Sequence, residues 1–281
     1  MKKQNTSITL IKKASGETEP FDVSKLKASL HNAGADEDII NEVAADIEGW
    51  VYEGVTTRKI YARSYKLFRR KRGASARGYK LKKALFCMGP TGYPFEYFIG
   101  ELFKKQGYET GVGQVVEGLS ITHEIDVIAT KNGRQNLMEC KYAHDQGSRI
   151  SIQVPLYVRS RVDDIVEKRR QQPKYKDISF TAWVVTNARF SSDSKEYSKS
   201  KGINLLGWDY PKSKGLKDMI EKEKIFPLTI LEYLSKKEKQ QLMAGGIVTC
   251  SQLLANKKSL HQLQMNKKKL HKVIKELNEI C

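Results

Sequence analysis

The sequence has few acidic residues for its length and lacks long apolar runs. Asp and Glu number 32 against 50 for Lys and Arg, which leaves a formal net charge of +18. The positive charge is spread along the chain and 40% of the residues are hydrophobic, so packed domains with a polyanionic partner are predicted, not a disordered basic tail. No apolar segment approaches the roughly 18 to 20 residues that span a bilayer. These features favour nucleic acid over a membrane as the partner.

Cysteine is scarce, and signals for export and for nucleotide hydrolysis are missing. The cysteines are too scattered to predict a zinc knuckle or a disulfide framework; they are Cys87, Cys140, Cys250 and Cys281. The first residues, MKKQNTSITL, contain no apolar signal-peptide segment, so we expect a cytoplasmic protein. A Gly-rich loop that ends in Gly-Lys-Ser is also absent from the sequence, which argues against ATP hydrolysis.

Hydrophobic patterning divides the 281 residues into three segments. Residues 1–88 combine a hairpin around a Ser-Gly turn with helical patterns, one of which begins at the capping residue Asp22 and ends at Gly34. Residues 91–223 alternate helical and strand patterns, which predicts an α/β domain around a mixed sheet. Residues 228–281 are helical throughout. The predicted fold is therefore a multi-domain α/β protein with a small, mostly helical first domain and an all-helical tail.

Two predicted strands of the middle segment carry charged residues at alternate positions. Glu124 and Asp126 stand two apart in EIDVIAT, and Glu139 and Lys141 stand two apart in NLMECKY, beyond a Lys-Asn-Gly turn. Since alternate residues of a strand share a face, a hairpin would bring together a carboxylate from each strand and one lysine. Two carboxylates can bind Mg²⁺ and leave positions for water and a phosphate oxygen, while the lysine offsets charge on phosphorus. The pattern indicates phosphodiester hydrolysis.

The same charges also fit a solvated hairpin face, on which Glu and Lys pair across the strands. They interrupt apolar strands, however, and a charge buried without a metal or partner is costly. This favours a metal site formed by a carboxylate from each strand. Glu124 fits a surface carboxylate at least as well, and His123 and His144 fit surface histidines better than metal ligands.

The stretch EIDVIA…NLMECKY resembles the core of the PD-(D/E)XK nuclease superfamily. Over about residues 90–212, the segments GYPFEYFIGELFKKQGYET and WVVTNARFSSDSKEYSKSKGINLLGWDYP resemble its Mrr-like restriction endonuclease branch. The resemblance implies that Asp126 and Glu139 bind Mg²⁺ or Mn²⁺ and that Lys141 is the catalytic lysine. It further implies that Glu96, on an upstream helix, completes the site.

A second feature of some of these nucleases is a Gln-X-X-X-Tyr element after the lysine. Gln153 and Tyr157 are similar to it, although Pro155 lies between them. The resemblance makes Gln153 a candidate catalytic residue. At helical spacing the two side chains would point the same way, so an ordinary helix-face pair also fits them.

The first segment resembles the ATP-cone, a small nucleotide-binding regulatory domain, over about residues 6–88. LIKKASGETEPFDVSKL and GVTTRKIYARSYKLF carry this resemblance, although Ser15 enlarges the hairpin turn. Lysines on a hairpin beside a helix N-terminus suit a triphosphate, so ATP or dATP is expected as an effector that is not hydrolysed. A general basic surface, or a cone that no longer binds nucleotide, also fits these residues. The implied nucleotide contacts are Lys12, Lys13, Glu19, Lys25 and Thr57.

The tail contains AGGIVTCSQLL, similar to a helix-hairpin-helix element, in which a Gly-rich turn lets backbone amides approach a phosphate. Gly245 and Gly246 suit that turn, and a protein-interaction hairpin fits them nearly as well. Neighbouring lysines favour a sequence-independent DNA contact; they are Lys236, Lys237, Lys239, Lys257, Lys258 and those of the run NKKKLHK.

Together these patterns and resemblances predict a metal-dependent DNA endonuclease. The resemblances imply its regulation by ATP or dATP and the restriction of foreign DNA as its setting. The alternative is a non-catalytic, nucleotide-responsive DNA-binding regulator, which would not need Asp126, Glu139 and Lys141 intact. One active site cuts one strand at a time, so an enzyme that cuts both strands is expected to be a homo-oligomer.

Overall fold

The computed structural model describes residues 9–32, 35, 37–72, 81–145 and 147–281. The chain divides into two compact units, residues 1–80 and residues 81–279. The strands are β1 (Leu10–Lys12), β2 (Thr18–Pro20), β3 (Glu109–Glu117), β4 (Thr122–Lys131), β5 (Arg134–Lys141), β6 (Arg149–Ile150), β7 (Ser179–Thr186), β8 (Arg189–Phe190) and β9 (Asn204–Leu206). The helices are α1 (Val23–Asn32), α2 (Glu37–Trp50), α3 (Thr57–Arg72), α4 (Leu81–Phe86), α5 (Tyr93–Lys105), α6 (Gln153–Arg170), α7 (Ser192–Lys201), α8 (Leu216–Glu223), α9 (Lys236–Ala244), α10 (Cys250–Ala255), α11 (Lys258–His261) and α12 (Lys267–Ile280). Within the described ranges, none of the helices combines the length and the apolar character needed to cross a membrane.

Within residues 9–32, 35 and 37–72, the first unit shows an antiparallel hairpin of β1 and β2 followed by α1, α2 and α3. Asp22 caps α1 as the sequence predicts, because its Oδ1 accepts a hydrogen bond from the Ser24 amide at 2.9 Å. The predicted end of this helix, Gly34, lies outside the described residues. Apolar side chains at helical spacing on α2 form one wall of the core; they are Ile40, Val43 and Ile47.

The second unit is built on a five-stranded mixed sheet in the order β3-β4-β5-β7-β9. β3, β4 and β5 are antiparallel neighbours, whereas β7 and β9 run parallel to β5. The parallel strands need crossover connections, and α6 and α7 supply them. The mixed sheet that the alternating pattern predicts is present.

The turn between β4 and β5 sets the register of the hairpin that carries the charged residues. Asn132 and Gly133 both have positive φ angles, 49° and 70°. Asn-Gly is the sequence that tolerates positive φ at both positions of a two-residue hairpin turn. The turn pairs Lys131 with Arg134, and the register continues to Val127 opposite Met138.

Helices cover both faces of the sheet. On one face, Val158 and Val162 of α6 pack with Leu137, Ala182 and Val184 of the strands. On the other face, the Phe103 ring of α5 meets the Trp183 ring of β7 edge-on, with centroids 5.8 Å apart. Each layer therefore contributes side chains to a single packed unit.

The C-terminal helices pack in the same unit as the sheet. The sequence analysis ends the first segment at residue 88 and so assigns helix α4 to it. In the structure α4 belongs to the second unit, and the division between the units falls after residue 80. Its contacts explain the difference: Leu81, Ala84 and Leu85 are buried, and the Thr229 hydroxyl donates to the Ala84 carbonyl at 2.6 Å. A hydrogen bond between residues so distant in sequence cannot be predicted from local patterns.

Candidate active site

The hairpin of β4 and β5 brings the sequence-predicted residues together. The pairing of Val127 with Met138 places Asp126 beside Glu139 at the next position, because antiparallel residues meet one to one. The Asp126 Oδ2 accepts a hydrogen bond from the Cys140 amide at 2.6 Å. Lys141 stands two residues beyond Glu139, and its Nζ lies 2.6 Å from the Glu139 Oε1. The two carboxylates and the lysine form one cluster.

Glu139 is the most buried member of this cluster, with its side chain 7% exposed against 40% for Lys141. The Tyr157 hydroxyl donates to its Oε1 at 2.6 Å, and the Arg161 guanidinium donates to its Oε2 at 2.6 Å. A buried carboxylate is tolerated only when its charge is compensated. Two cations and a hydroxyl compensate this one.

Arg161 is a site residue that the sequence analysis did not find. It lies on α6, one helical turn after Tyr157, and its Nη1 also donates to the Glu124 carbonyl at 3.2 Å. Extending the Gln153 and Tyr157 pair by four more residues along the same helix face would have reached it. The guanidinium ties α6 to both strands of the hairpin.

Glu96 joins the cluster from the first turn of α5. Burial and then the charges of Asp126 and Glu124 raise the pKa of Glu96 to about 7. Burial and the charge of Glu139 raise the pKa of Asp126 to about 6, although the Cys140 amide and the nearby cations oppose that rise. Carboxylates that raise one another's pKa values in this way occur where like charges share a half-buried site.

Lys141 remains a cation in this environment. Burial alone would lower its pKa, but the hydrogen bonds to Glu139 and Tyr157 outweigh burial and raise it above the usual range. Glu139 also affects Tyr157: burial and the hydrogen bond to Glu139 raise the pKa of Tyr157 to about 12. Lys141 is therefore suited to stabilise negative charge and unsuited to accept a proton.

The donor set suits a hard divalent cation, although its arrangement is not that of a ready-made metal cage. Among the described residues, no group of three or more His, Cys, Asp and Glu side chains is placed to hold a metal ion. The carboxylates of Asp126 and Glu139 are oxygen ligands of the kind that Mg²⁺ prefers. Their mutual repulsion, seen in the raised pKa of Asp126, is what a bound cation would relieve. The chemistry of the residues therefore fits the metal that the sequence predicts.

The remaining candidates lie at the edge of this cluster or outside it. Gln153 is exposed at the first residue of α6, and in the described part of the chain no hydrogen bond joins it to the carboxylates. The His123 Nε2 bonds to the Asp164 Oδ2 at 2.7 Å, which fastens β4 to α6, and the His144 ring packs edge-on against Tyr142. Neither histidine is part of the carboxylate cluster.

The comparisons with known proteins identify the domain that contains this cluster. A family model for a restriction endonuclease, the Mrr catalytic domain, matches residues 90–210. Residues 90–210 form an Mrr-type restriction endonuclease domain. A second model, for the AF1548-like C-terminal domain, matches residues 226–281. Asp126, Glu139, Lys141 and Glu96 all lie inside the endonuclease domain.

Individual relatives each cover about two thirds of the chain. An uncharacterized protein of Archaeoglobus fulgidus is 29% identical over 183 residues, which is 65% of this chain and 99% of the relative. The crystal structure of AF1548, a protein of unknown function, is 26% identical with a TM-score of 0.56 and covers 68% of this chain and 98% of that chain. The MspJI restriction endonuclease in complex with a 27-mer oligonucleotide is 14% identical with a TM-score of 0.34, over 63% of this chain and 36% of that chain, a likeness too low to support an argument. A restriction endonuclease domain indicates DNA as the partner.

Three residues of the predicted nucleotide set in the first unit lie together. The Lys13 Nζ is 2.7 Å and the Lys25 Nζ 3.3 Å from the Glu19 Oε2. Lys12 lies on β1, where its amide donates to the Val55 carbonyl at 2.9 Å, and Thr57 is the first residue of α3. The hairpin and the start of α1 therefore place two ammonium groups around one carboxylate.

The lysines of the AF1548-like C-terminal domain fall into two groups. Lys239, which the sequence analysis groups with the lysines expected to contact DNA, is half-buried: its Nζ donates to the Thr229 carbonyl at 3.1 Å, and burial lowers its pKa. Lys269 of the NKKKLHK run is 2.6 Å from Glu238. The exposed group is Lys236, Lys237, Lys257, Lys258, Lys267, Lys268, Lys272 and Lys275. Gly246 has a φ of +82° in the turn between α9 and α10, which explains a glycine there.

Proposed function

We propose that the protein is a metal-dependent DNA endonuclease that hydrolyses phosphodiester bonds in the restriction of foreign DNA. The observation that carries the proposal is the clustering of Asp126, Glu139 and Lys141, joined by Glu96, in which burial and neighbouring carboxylates raise the pKa of Glu96 and that of Asp126. Asp126 and Glu139 would hold Mg²⁺ or Mn²⁺, which would supply a Lewis acid and a water of lowered pKa. The endonuclease domain in which the cluster lies supports DNA as the substrate.

The chain's own residues have separate tasks in this proposal. Lys141, kept protonated by Glu139 and Tyr157, offsets the charge that develops on the phosphate oxygens. Arg161 and Tyr157 hold the Glu139 carboxylate in place through both of its oxygens, and such positioning matters because a small displacement of a ligand reduces activity strongly. Glu96 adds a third carboxylate at the edge of the site.

Nicking of supercoiled plasmid DNA with and without Mg²⁺ tests the proposal. Asp126→Asn, Glu139→Gln and Lys141→Ala should each lower the cleavage rate by at least about a hundredfold, because each removes a group that contacts the metal or the phosphate. The matched controls Asp163→Asn and Glu167→Gln change exposed carboxylates of α6 outside the cluster and should retain activity. Full activity in any of the three site variants would contradict the assignment.

A binding measurement separates the nuclease from a DNA-binding regulator without catalysis. The site variants should keep most of their DNA affinity, since that affinity comes from distributed phosphate contacts. Mg²⁺ should raise the melting temperature of the wild type and not of Asp126→Asn, because a ligand that binds only the folded state stabilises it. A wild-type protein that binds DNA, shows no such Mg²⁺ effect and never cuts would instead be the regulator.

We further infer that ATP or dATP, bound without hydrolysis, regulates cleavage through the first unit, together with a change in oligomeric state. The support is the placement of Lys13 and Lys25 around Glu19 beside the N-terminus of α1, where a triphosphate would be attracted by ammonium groups and helix dipole together. Calorimetric titration with ATP and dATP, with light scattering and the nicking assay, tests this idea. An unchanged affinity in Lys12→Ala with Lys25→Ala would refute it.

A further inference from the structure

A cavity of about 670 Å³ lies at the edge of the sheet beyond β9, bordered by α7, α8 and the segment between β9 and α8. This volume is within the range of sites for small molecules and cofactors, about 300 to 1,000 Å³. Its apolar surface is formed by aromatic and aliphatic side chains: Trp183, Ile203, Leu206, Tyr210 and Met219. Asp126, Glu139 and Lys141 do not line it, so it is separate from the carboxylate cluster.

Lysines dominate the charge of this cavity. The ones that line it are Lys195, Lys199, Lys214 and Lys222. Among the described residues that line the cavity, Asp218 is the sole carboxylate, and its Oδ2 already accepts a hydrogen bond from the Gly215 amide at 2.9 Å. The Lys195 Nζ lies 4.9 Å from the centroid of the Tyr210 ring, within reach of a cation–π interaction. The cavity is therefore cationic as well as aromatic.

Two residues that line the cavity each have a buried polar side-chain atom that lacks a hydrogen-bond partner among the described residues. The two atoms are the Trp183 indole Nε1 and the Ser198 hydroxyl oxygen. Such atoms are rare in folded proteins, and each calls for an explanation. Their coincidence at one cavity points to a ligand with polar groups that complete the hydrogen bonding.

These properties together select a class of ligand. An aromatic and apolar wall suits a planar base, lysine ammonium groups suit a phosphate, and the unpartnered indole and hydroxyl groups suit polar edges of a base or sugar. We propose that this cavity binds a nucleotide, either free or as one unit of a nucleic-acid strand. The proposal does not depend on cleavage at the carboxylate cluster and is tested in the absence of metal.

The test compares two pairs of charge reversals in the full-length protein. Lys199→Glu with Lys222→Glu changes two lysines that line the cavity, and Lys201→Glu with Lys224→Glu changes exposed lysines two positions further along that do not line it. The probes are AMP, ATP, adenosine, inorganic phosphate and a single-stranded oligonucleotide of about eight nucleotides, all with EDTA. Calorimetry measures affinity. The change in tryptophan fluorescence on ligand binding, compared between the wild type and Trp183→Phe, reports on binding at the cavity itself.

The first pair should weaken binding of AMP or of the oligonucleotide by about tenfold or more, and the second pair by less than about threefold. Trp183→Phe should lose the fluorescence change and bind more weakly. Binding of AMP would identify a free nucleotide as the source, and binding of the oligonucleotide alone would identify a strand. Four results would each overturn the proposal. Two of them are equal effects of the two pairs and a loss of binding only in Lys12→Ala with Lys25→Ala. The other two are phosphate binding as tight as that of AMP and no binding of any probe at about 1 mM.

Discussion

Replacing Asp126 by Asn is expected to stabilise the metal-free protein. Burial and the charge of Glu139 raise the pKa of Asp126 from its usual value of 3.8 to about 6. The folded state therefore binds a proton more tightly than the unfolded state, so ionisation of this group lowers the free energy of unfolding. Asn has nearly the same shape and no charge, and its side-chain oxygen can still accept the hydrogen bond from the Cys140 amide.

The size of this effect follows from the two pKa values. Because the folded pKa is the higher one, the penalty is absent below the unfolded value of 3.8, grows through the window up to about pH 6 and is complete above it. A pKa difference of one corresponds to about 1.4 kcal/mol, so the ceiling is about 3 kcal/mol. Asp126 is only partly buried, so solvent screening and the nearby cations reduce the expected gain to about 1 to 2 kcal/mol at pH 8.

Urea unfolding with EDTA at pH 8 and at about pH 4, followed by tryptophan fluorescence, measures this gain. Asp164→Asn is a control of opposite sign, because the Asp164 carboxylate accepts hydrogen bonds from His123, Ser120 and Ile121 and these lower its pKa. That variant should be less stable than the wild type at pH 8, with a smaller loss in acid. If Asp126→Asn lowered the free energy of unfolding at pH 8, or raised it equally at both pH values, the account of the carboxylate cluster would be wrong.

Three further outcomes are expected. Arg161→Ala should reduce plasmid nicking by about tenfold or more, because it leaves a buried carboxylate short of one cation, and Tyr157→Phe, which keeps the ring, should reduce it less. Lys267→Ala with Lys268→Ala should weaken binding to every DNA sequence and lower the slope of log affinity against log salt by up to about two, as measured by fluorescence anisotropy at several salt concentrations. Lys239→Ala should leave that slope unchanged and lower the melting temperature, since its ammonium group bonds within the fold; a changed slope would place Lys239 on the DNA surface.

The sequence by itself determined the elements and the hairpin of the candidate site. Alternation on β4 and β5 and the Asn-Gly turn between them are local properties, because side-chain direction in a strand repeats every two residues and Asn-Gly favours positive φ. Asp126, Glu139 and Lys141 could therefore be predicted to lie together from three short stretches. The capping of α1 by Asp22 is local in the same way.

Only the tertiary structure decided which groups surround these residues. Arg161 reaches Glu139 from 22 positions away, and the Thr229 hydroxyl reaches Ala84 across 145. Helical spacing places Arg161 on the same face as Tyr157, but local patterns do not show the partner of Arg161 or that of Thr229. The same holds for Lys239, which patterning places on a basic surface and packing turns toward the Thr229 carbonyl. The cavity beyond β9 is the clearest case, because residues as far apart in the sequence as Gln106 and Lys222 line it. Contacts between distant residues depend on how helices and sheet pack, and packing is a property of the folded chain as a whole.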